Sequence, residues 1–384
     1  MPRRTLAIAL ASFVPALAAT AAPAGANGAA PRPPLRMNQI QVIGTHNSYH
    51  RELSKPERAA HDTVFGGQAI YDAFFAYSHA SLPNQLSRQK VRGLELDLFG
   101  DAQGGLYANP LLRQRLAVGP LLDPEWQRPG IKVLHTEDLD YNSSCVRLVT
   151  CLRLVRRWSR ANPEHVPLLV MLELKATDPI AGPLGGVAVP PWNRSALAGL
   201  DKEIRSVFTA GELIRPDDVR RPGLTLERSV LRKGWPALSQ ARGRVAFLMD
   251  NDPGPISAAY TAGRPSLQGR VLFTNARPGS PDAAFVKRNT PTGANLAQIK
   301  GLVRKGYLVR TRSDEPLATV LSEDNTRLRA ALASGAQLVS TDFPEVGMSA
   351  RYDRDYVAAL PGGGPARCNP VIRPRPCPGR GLEP

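Results

Sequence analysis

Short apolar runs, each closed by polar residues, recur along the chain and constrain its fold more than any other feature. They fall at residues 40–44, 91–99, 131–136, 166–175, 244–250, 271–275, 307–312 and 336–341. Segments with apolar residues at helical spacing separate several of them, at 146–160, 195–208, 296–305 and 323–334. Strands that alternate with helices argue for parallel pairing, because a parallel return needs a crossover connection. Eight such units in one chain predict an α/β fold of the (β/α)8 TIM-barrel type. An open doubly wound sheet is the rival, but the first turn, Thr45-His46-Asn47-Ser48, is no glycine-rich phosphate loop.

The run Gly93-Leu94-Glu95-Leu96-Asp97-Leu98-Phe99 carries the sharpest chemical signal. Residues two apart on a strand share a face, so the leucines line one side and Glu95 and Asp97 the other. Two neighbouring acids on a buried strand repel each other and are costly to desolvate. A hard cation between them is the simplest remedy. The other runs end in polar residues too: His46 and Asn47, His135, Glu173 and Lys175, Asp250, Arg310 and Arg312, and Asp342. In a parallel barrel the C-terminal strand ends share one mouth, where active sites sit. Taken alone, Asp250 and Asp342 read as helix caps. Asn47, Glu95, Asp97 and Glu173 form an oxygen-only donor set that suits calcium, with magnesium the near alternative. Two histidines beside such a cation suit acid–base work on a phosphodiester.

The start, Met1-Pro2-Arg3-Arg4, then apolar residues to Ala19 and an Ala/Gly/Pro stretch, reads as a secretion signal. The expected organisation is a signal peptide and loose start over 1–30, a catalytic barrel over 37–360 and a Pro/Gly-rich tail over 361–384. Export to the cell exterior or envelope lets the four cysteines pair. Three connectivities exist; closeness in sequence favours Cys145 with Cys151 and Cys368 with Cys377. The net charge of +16 suits transient contact with an anionic membrane surface. The arginines are scattered and no nucleic-acid motif occurs, so nucleic acid is not an expected partner.

The order Gly44-Thr45-His46-Asn47-Ser48, Leu94-Glu95-Leu96-Asp97, His135 and Leu172-Glu173-Leu174 resembles calcium-dependent phosphoinositide-specific phospholipase C, most of all its secreted bacterial branch. The resemblance covers residues 38–345 in organisation and is motif-specific within 40–175. Glycerophosphodiester phosphodiesterases share the layout but usually follow the first histidine with arginine; the metal-independent bacterial enzymes usually have aspartate there.

The resemblance implies that Asn47, Glu95, Asp97 and Glu173 hold Ca2+. It gives His46 the pentavalent transition state to stabilise, and His135 the diacylglycerol oxygen to protonate before activating water. Glu95 is the candidate base for the inositol 2-hydroxyl, whose attack gives a cyclic inositol phosphate. Lys175, Arg310 and Arg312 are candidates for binding phosphate or inositol hydroxyls, with salt bridges as the alternative. His50, His61, His79 and His165 read as structural or surface residues. No accessory domain is apparent, and a monomer is expected. The alternatives are a glycerophosphodiesterase-like or sphingomyelinase-D-like hydrolase on the same barrel, and a non-catalytic module that binds anionic lipid.

Overall fold

The computed structural model describes Pro2 and residues 33–315, 317–375, 377–378 and 381–383. The expected signal peptide lies outside the described residues. Ten strands follow in order: β1 (Ile40–Thr45), β2 (Gly93–Phe99), β3 (Lys132–Val133), β4 (Leu168–Leu174), β5 (Val245–Met249), β6 (Leu272–Thr274), β7 (Phe285–Lys287), β8 (Leu308–Arg312), β9 (Leu338–Thr341) and β10 (Arg367–Cys368). Eight of them form one parallel array in the order β6-β5-β4-β2-β1-β9-β8-β7. A parallel bridge between Asn275 and Phe285 all but closes the ring between β6 and β7. The chain is a TIM barrel, as its alternating pattern implies.

The membership of the ring differs from the sequence reading at two places. Residues 131–136 do not supply a barrel strand. The short β3 lies antiparallel on β2, with Phe99 opposite Lys132 and Leu98 opposite Val133. Residues 100–131 therefore bring the chain back to the same end of β2, whereas a parallel partner would start at the other. The missing member is β7, three residues long, too short to show as a periodic run.

The seam between β1 and β2 is made by glycines. Gly44 lies opposite Gly93. A Cβ on Gly44 would come within 2.9 Å of the Gly93 Cα, and the Leu338 side chain fills the space that both leave. Leu94, Leu96 and Leu98 pack in the main apolar cluster with Leu152 and Val155 of the helix Leu148–Ala161. Other helices are bounded by local chemistry: at the start of Arg194–Val207 the Asn193 side-chain oxygen accepts Ala196 N, and Ala294–Lys305 ends at Gly306 with φ of 108°. Among the described residues no helix is long and apolar enough to cross a membrane.

The closing segment is packed onto the floor of the barrel. β10 pairs antiparallel with β1, Ile40 opposite Cys368 and Gln41 opposite Arg367. The Glu383 carboxylate takes the Arg92 guanidinium and accepts Val166 N at 2.9 Å. Leu382 is buried. The disulfides are the two local pairs, Cys145–Cys151 and Cys368–Cys377.

Candidate active site

The turn after β1 is pinned to β2. Asn47 sits at φ of 44°, a left-handed conformation that asparagine tolerates better than branched residues. Ser48 donates its amide to the Glu95 carbonyl at 2.9 Å, and its hydroxyl accepts Glu95 N at 2.8 Å. This places His46 and Asn47 above the two acids of β2. On the other flank, the β2–β4 register sets Asp97 beside Glu173.

Each acid at this mouth meets a cation. Arg310, fully buried, donates to Glu95 Oε2 at 2.7 Å and to Ser340 Oγ at 3.1 Å, and also reaches Asn289 Oδ1. Arg312 donates to Asp342 Oδ2 at 3.0 Å. Lys287 pairs with Asp250 at 3.1 Å. Lys175 Nζ stands 3.3 Å from both Asp97 Oδ2 and Glu173 Oε2. Burial alone would lower the Lys175 pKa, but Asp97 and Glu173 outweigh it and hold the ammonium well above its ordinary value.

Burial pushes the Glu95 carboxyl up to about 7, even with Arg310 pulling it back. Burial also pushes Asp97 well up, against the pull of Lys175. Glu173 goes the other way: burial raises it, but Lys175 and His135 more than compensate.

The two histidines are held in the same manner. His46 Nδ1 faces Asp342 Oδ1 at 2.9 Å, and its Nε2 lies 3.5 Å from Glu95 Oε1 and 3.3 Å from Arg312 Nη1. Burial first, then Arg312 and Arg310, pushes its pKa well below the usual imidazole value. His135 Nδ1 faces Asp140 Oδ2 at 2.9 Å, and burial lowers it although Asp140 opposes. Both rings line a cavity of about 340 Å³, together with Asn47, Phe74, Phe75 and Tyr77. Another cavity, of about 410 Å³, lies beside Trp192, Pro190 and Ile131 and offers no histidine.

The donor set fits a hard cation. Asn47 Oδ1 and both carboxylate oxygens of Asp97 are buried without a hydrogen bond, Asp97 having only its charge contact with Lys175. Such oxygens, next to Glu95 and Glu173, are what calcium takes as ligands. The histidine nitrogens are engaged elsewhere, at Nδ1, by Asp342 and Asp140.

The structure brings His46, Asn47, Glu95, Asp97, Glu173 and Lys175 together from the strand ends. His135 joins them by a different route, after the antiparallel β3. Arg310 and Arg312 point into the same mouth but are bonded to acids, and Lys175 to the acid pair. His50, His61, His79 and His165 are all buried, so none is a surface residue. Two of them touch the site: His79 donates to the His46 carbonyl at 2.8 Å, and His50 shares Asp140 with His135. Asp342 and Asp140 were the residues that sequence reasoning missed. Asp342 looked like a helix cap, and the one signal for Asp140 was its nearness to His135.

The family model described as phosphoinositide phospholipase C, Ca2+-dependent, matches residues 35–370. No curated protein matches the chain. Among solved structures, the calcium-dependent phosphoinositol-specific phospholipase C of a Gram-negative Pseudomonas sp is similar. Its apo crystal form 1 aligns with a TM-score of 0.52 at 15% identity, covering 87% of this chain and 95% of that one. Its myoinositol complex aligns with a TM-score of 0.50 at 16% identity, over the same shares. At such identity the likeness is one of fold.

Proposed function

The chain belongs to the calcium-dependent phosphoinositide phospholipase C family, a family of phosphoric diester hydrolases with Ca2+ as cofactor, and from that premise we propose how its own residues divide the work. Asn47, Glu95, Asp97 and Glu173 are the calcium ligands. The observation that carries this is the set of buried, unbonded oxygens on Asn47 and Asp97. Bound there, calcium neutralises phosphate charge and makes the attacking hydroxyl more acidic.

Glu95 takes the proton of the inositol 2-hydroxyl; Arg310 holds its Oε2, while its Oε1 faces His46 Nε2 at 3.5 Å. His46, oriented by Asp342, presents Nε2 beside Arg312 to the phosphate. The approach of the anionic phosphodiester favours the imidazolium form of His135. His135 then protonates the departing diacylglycerol oxygen and, once neutral, takes a proton from water in the second step. Arg312 is the cation best placed for phosphate, because it lines the cavity. Arg310 and Lys175 balance the acids, and reach substrate only if they leave them.

A second reading of the base has specific support. A neutral His46, with its Nδ1 proton on Asp342, carries a lone pair on Nε2. Loss of cyclisation in Glu95→Gln, with calcium binding retained, separates the two.

The substrate is a phosphatidylinositol-type lipid, met by a monomer during transient contact with an anionic membrane. The two disulfides and the sequence of residues 1–30 support a secreted or envelope location. Phosphorus NMR of a phosphatidylinositol digest should show a cyclic inositol phosphate with calcium and none after chelation. A digest with neither cyclic nor monophosphate signal overturns the assignment.

A further inference from the structure

His50 has no part in the chemistry above, yet it is fully buried next to a reacting group. Its Nδ1 stands 2.9 Å from the Tyr77 carbonyl oxygen and its Nε2 2.8 Å from Asp140 Oδ2. A carbonyl oxygen only accepts hydrogen bonds, and so does an ionised carboxylate. Asp140 is the meeting point of several donors. Its Oδ2 faces both His50 and His135, and its Oδ1 accepts the Tyr71 hydroxyl at 3.0 Å. Donors converging on a carboxylate favour its ionised form. Both nitrogens of His50 therefore donate, and a ring that donates twice is an imidazolium.

The three ligand atoms of His50, His135 and Asp140 lie within 4.8 Å of one another, close enough to consider a metal. The spacing argues for protons instead. Donors about 2.0–2.2 Å from a tetrahedral zinc stand roughly 3.3 Å or more apart, whereas each nitrogen here is 2.8 or 2.9 Å from the Asp140 oxygen.

We infer that His50 is protonated at neutral pH and forms with Asp140 a buried ion pair that positions His135 for reaction. Asp140 and His50 are thus positioning residues, and the inference rests on the reading of His135 as a reacting group. Asp140 fixes the Nδ1–H tautomer of His135 and frees Nε2 for the cavity. The positive charge of His50 cancels the negative charge of Asp140, so His135 gains orientation without a net negative neighbour, and its ring can take up and release a proton within one cycle.

The surrounding charges agree. Burial pushes His50 down, but the charge and hydrogen bond of Asp140 outweigh it and the net direction is up, with Asp342 adding to it. Burial would raise Asp140, yet His50 and the hydrogen bond from His135 bring it well below the usual range. The other groups facing His50 are Tyr71, Tyr77 and neutral-leaning His79; those facing His135 are Lys175, His50 and the Phe75 ring.

The test uses the whole protein with its histidines labelled with nitrogen-15. At about pH 8, above the ordinary imidazole range, long-range proton–nitrogen spectra should show one doubly protonated ring that vanishes in His50→Gln. A wild-type spectrum with no doubly protonated ring at that pH overturns the inference, whatever the enzyme does. On phosphatidylinositol vesicles, Asp140→Asn should lower kcat about 100-fold and His50→Gln about 10-fold, with KM changed less than about 3-fold. If His50→Gln folds and keeps the wild-type kcat and pH profile, the positioning role is overturned and the pair is only a packing element. Should Asp140→Asn fail to fold, the wild-type spectrum and His50→Gln still decide. A wild type that makes no cyclic product would defeat the functional reading instead, and leave the spectrum to be judged by itself.

Discussion

The two sides of the barrel mouth use one device with two different charges. On one side His46 rests on Asp342, and Arg312 neutralises that carboxylate. On the other His135 rests on Asp140, and His50 neutralises it. Arginine stays charged at any working pH, while histidine does not. The first wing therefore keeps its charge as pH changes, and the second is where pH can act. The geometry also differs in depth. Asp342 is itself braced by Asp314, which accepts its amide at 3.0 Å, whereas Asp140 depends on a short loop in which Thr136 and Asp140 form an isolated bridge. In that loop Asp138 accepts Leu111 N and Val187 N, so one turn also ties two neighbouring mouth loops together.

The largest expected effect would break the comparison outright. Asp342→Asn removes the partner of a buried guanidinium and of His46 Nδ1 together, and should lower kcat about 1000-fold. If it costs less than Asp140→Asn in the same turnover assay, the two wings are not equivalent devices. A smaller effect concerns the acids between the wings. Lys175 competes with any cation for Asp97 and Glu173, so Lys175→Met should tighten calcium binding about 10-fold by titration calorimetry. Glu173→Gln should weaken it by a similar factor; unchanged affinity in both would remove these residues from the calcium site.

The smallest effect is on stability and belongs to one wing only. Asp140 is depressed in the folded protein, so its contribution is present above about 3.9 and is lost as pH falls through its folded value. His50 is raised, so its contribution is complete below about 6.5 and is lost as pH rises through its folded value. The pair should stabilise most between those limits. His50→Gln should cost about 1–2 kcal/mol at about pH 6 and less in alkaline buffer, by urea unfolding. The Arg312 wing should show no alkaline limb of this kind.

Particular residues show why part of the site was legible in the sequence. His46, Glu95, Asp97 and Glu173 stood out because each interrupts an apolar strand at its C-terminal end. A barrel carries such residues to one mouth whatever their separation along the chain. His135 was found by the same rule, although the rule does not describe it: the strand before it is antiparallel, and the loop geometry does the carrying. Asp140 and His50 left no such mark, and Asp342, which does end an apolar run, reads from sequence as a helix cap. Their roles depend on which atom faces which, and that is set by packing between segments about 90 and nearly 300 residues apart. The arginines of β8 were legible as sharing a face, with salt bridges open as the alternative to substrate, but which acids they meet was not, because sequence alone does not name their partners. The barrel itself was readable from alternation. The identity of its eighth strand was not, since three residues carry no period.

The place of β1 sets the pace at which the ring can close. β1 lies between β2 and β9, with Gly44 opposite Gly93 on one flank and opposite Ser340 on the other. β9 follows β1 by about 300 residues, and contacts this distant in sequence form slowly. The β1–β9 seam therefore waits on the segment that carries β9, and the pairings of β10 with β1 and of Glu383 with Arg92 tie the floor to segments farther still along the chain.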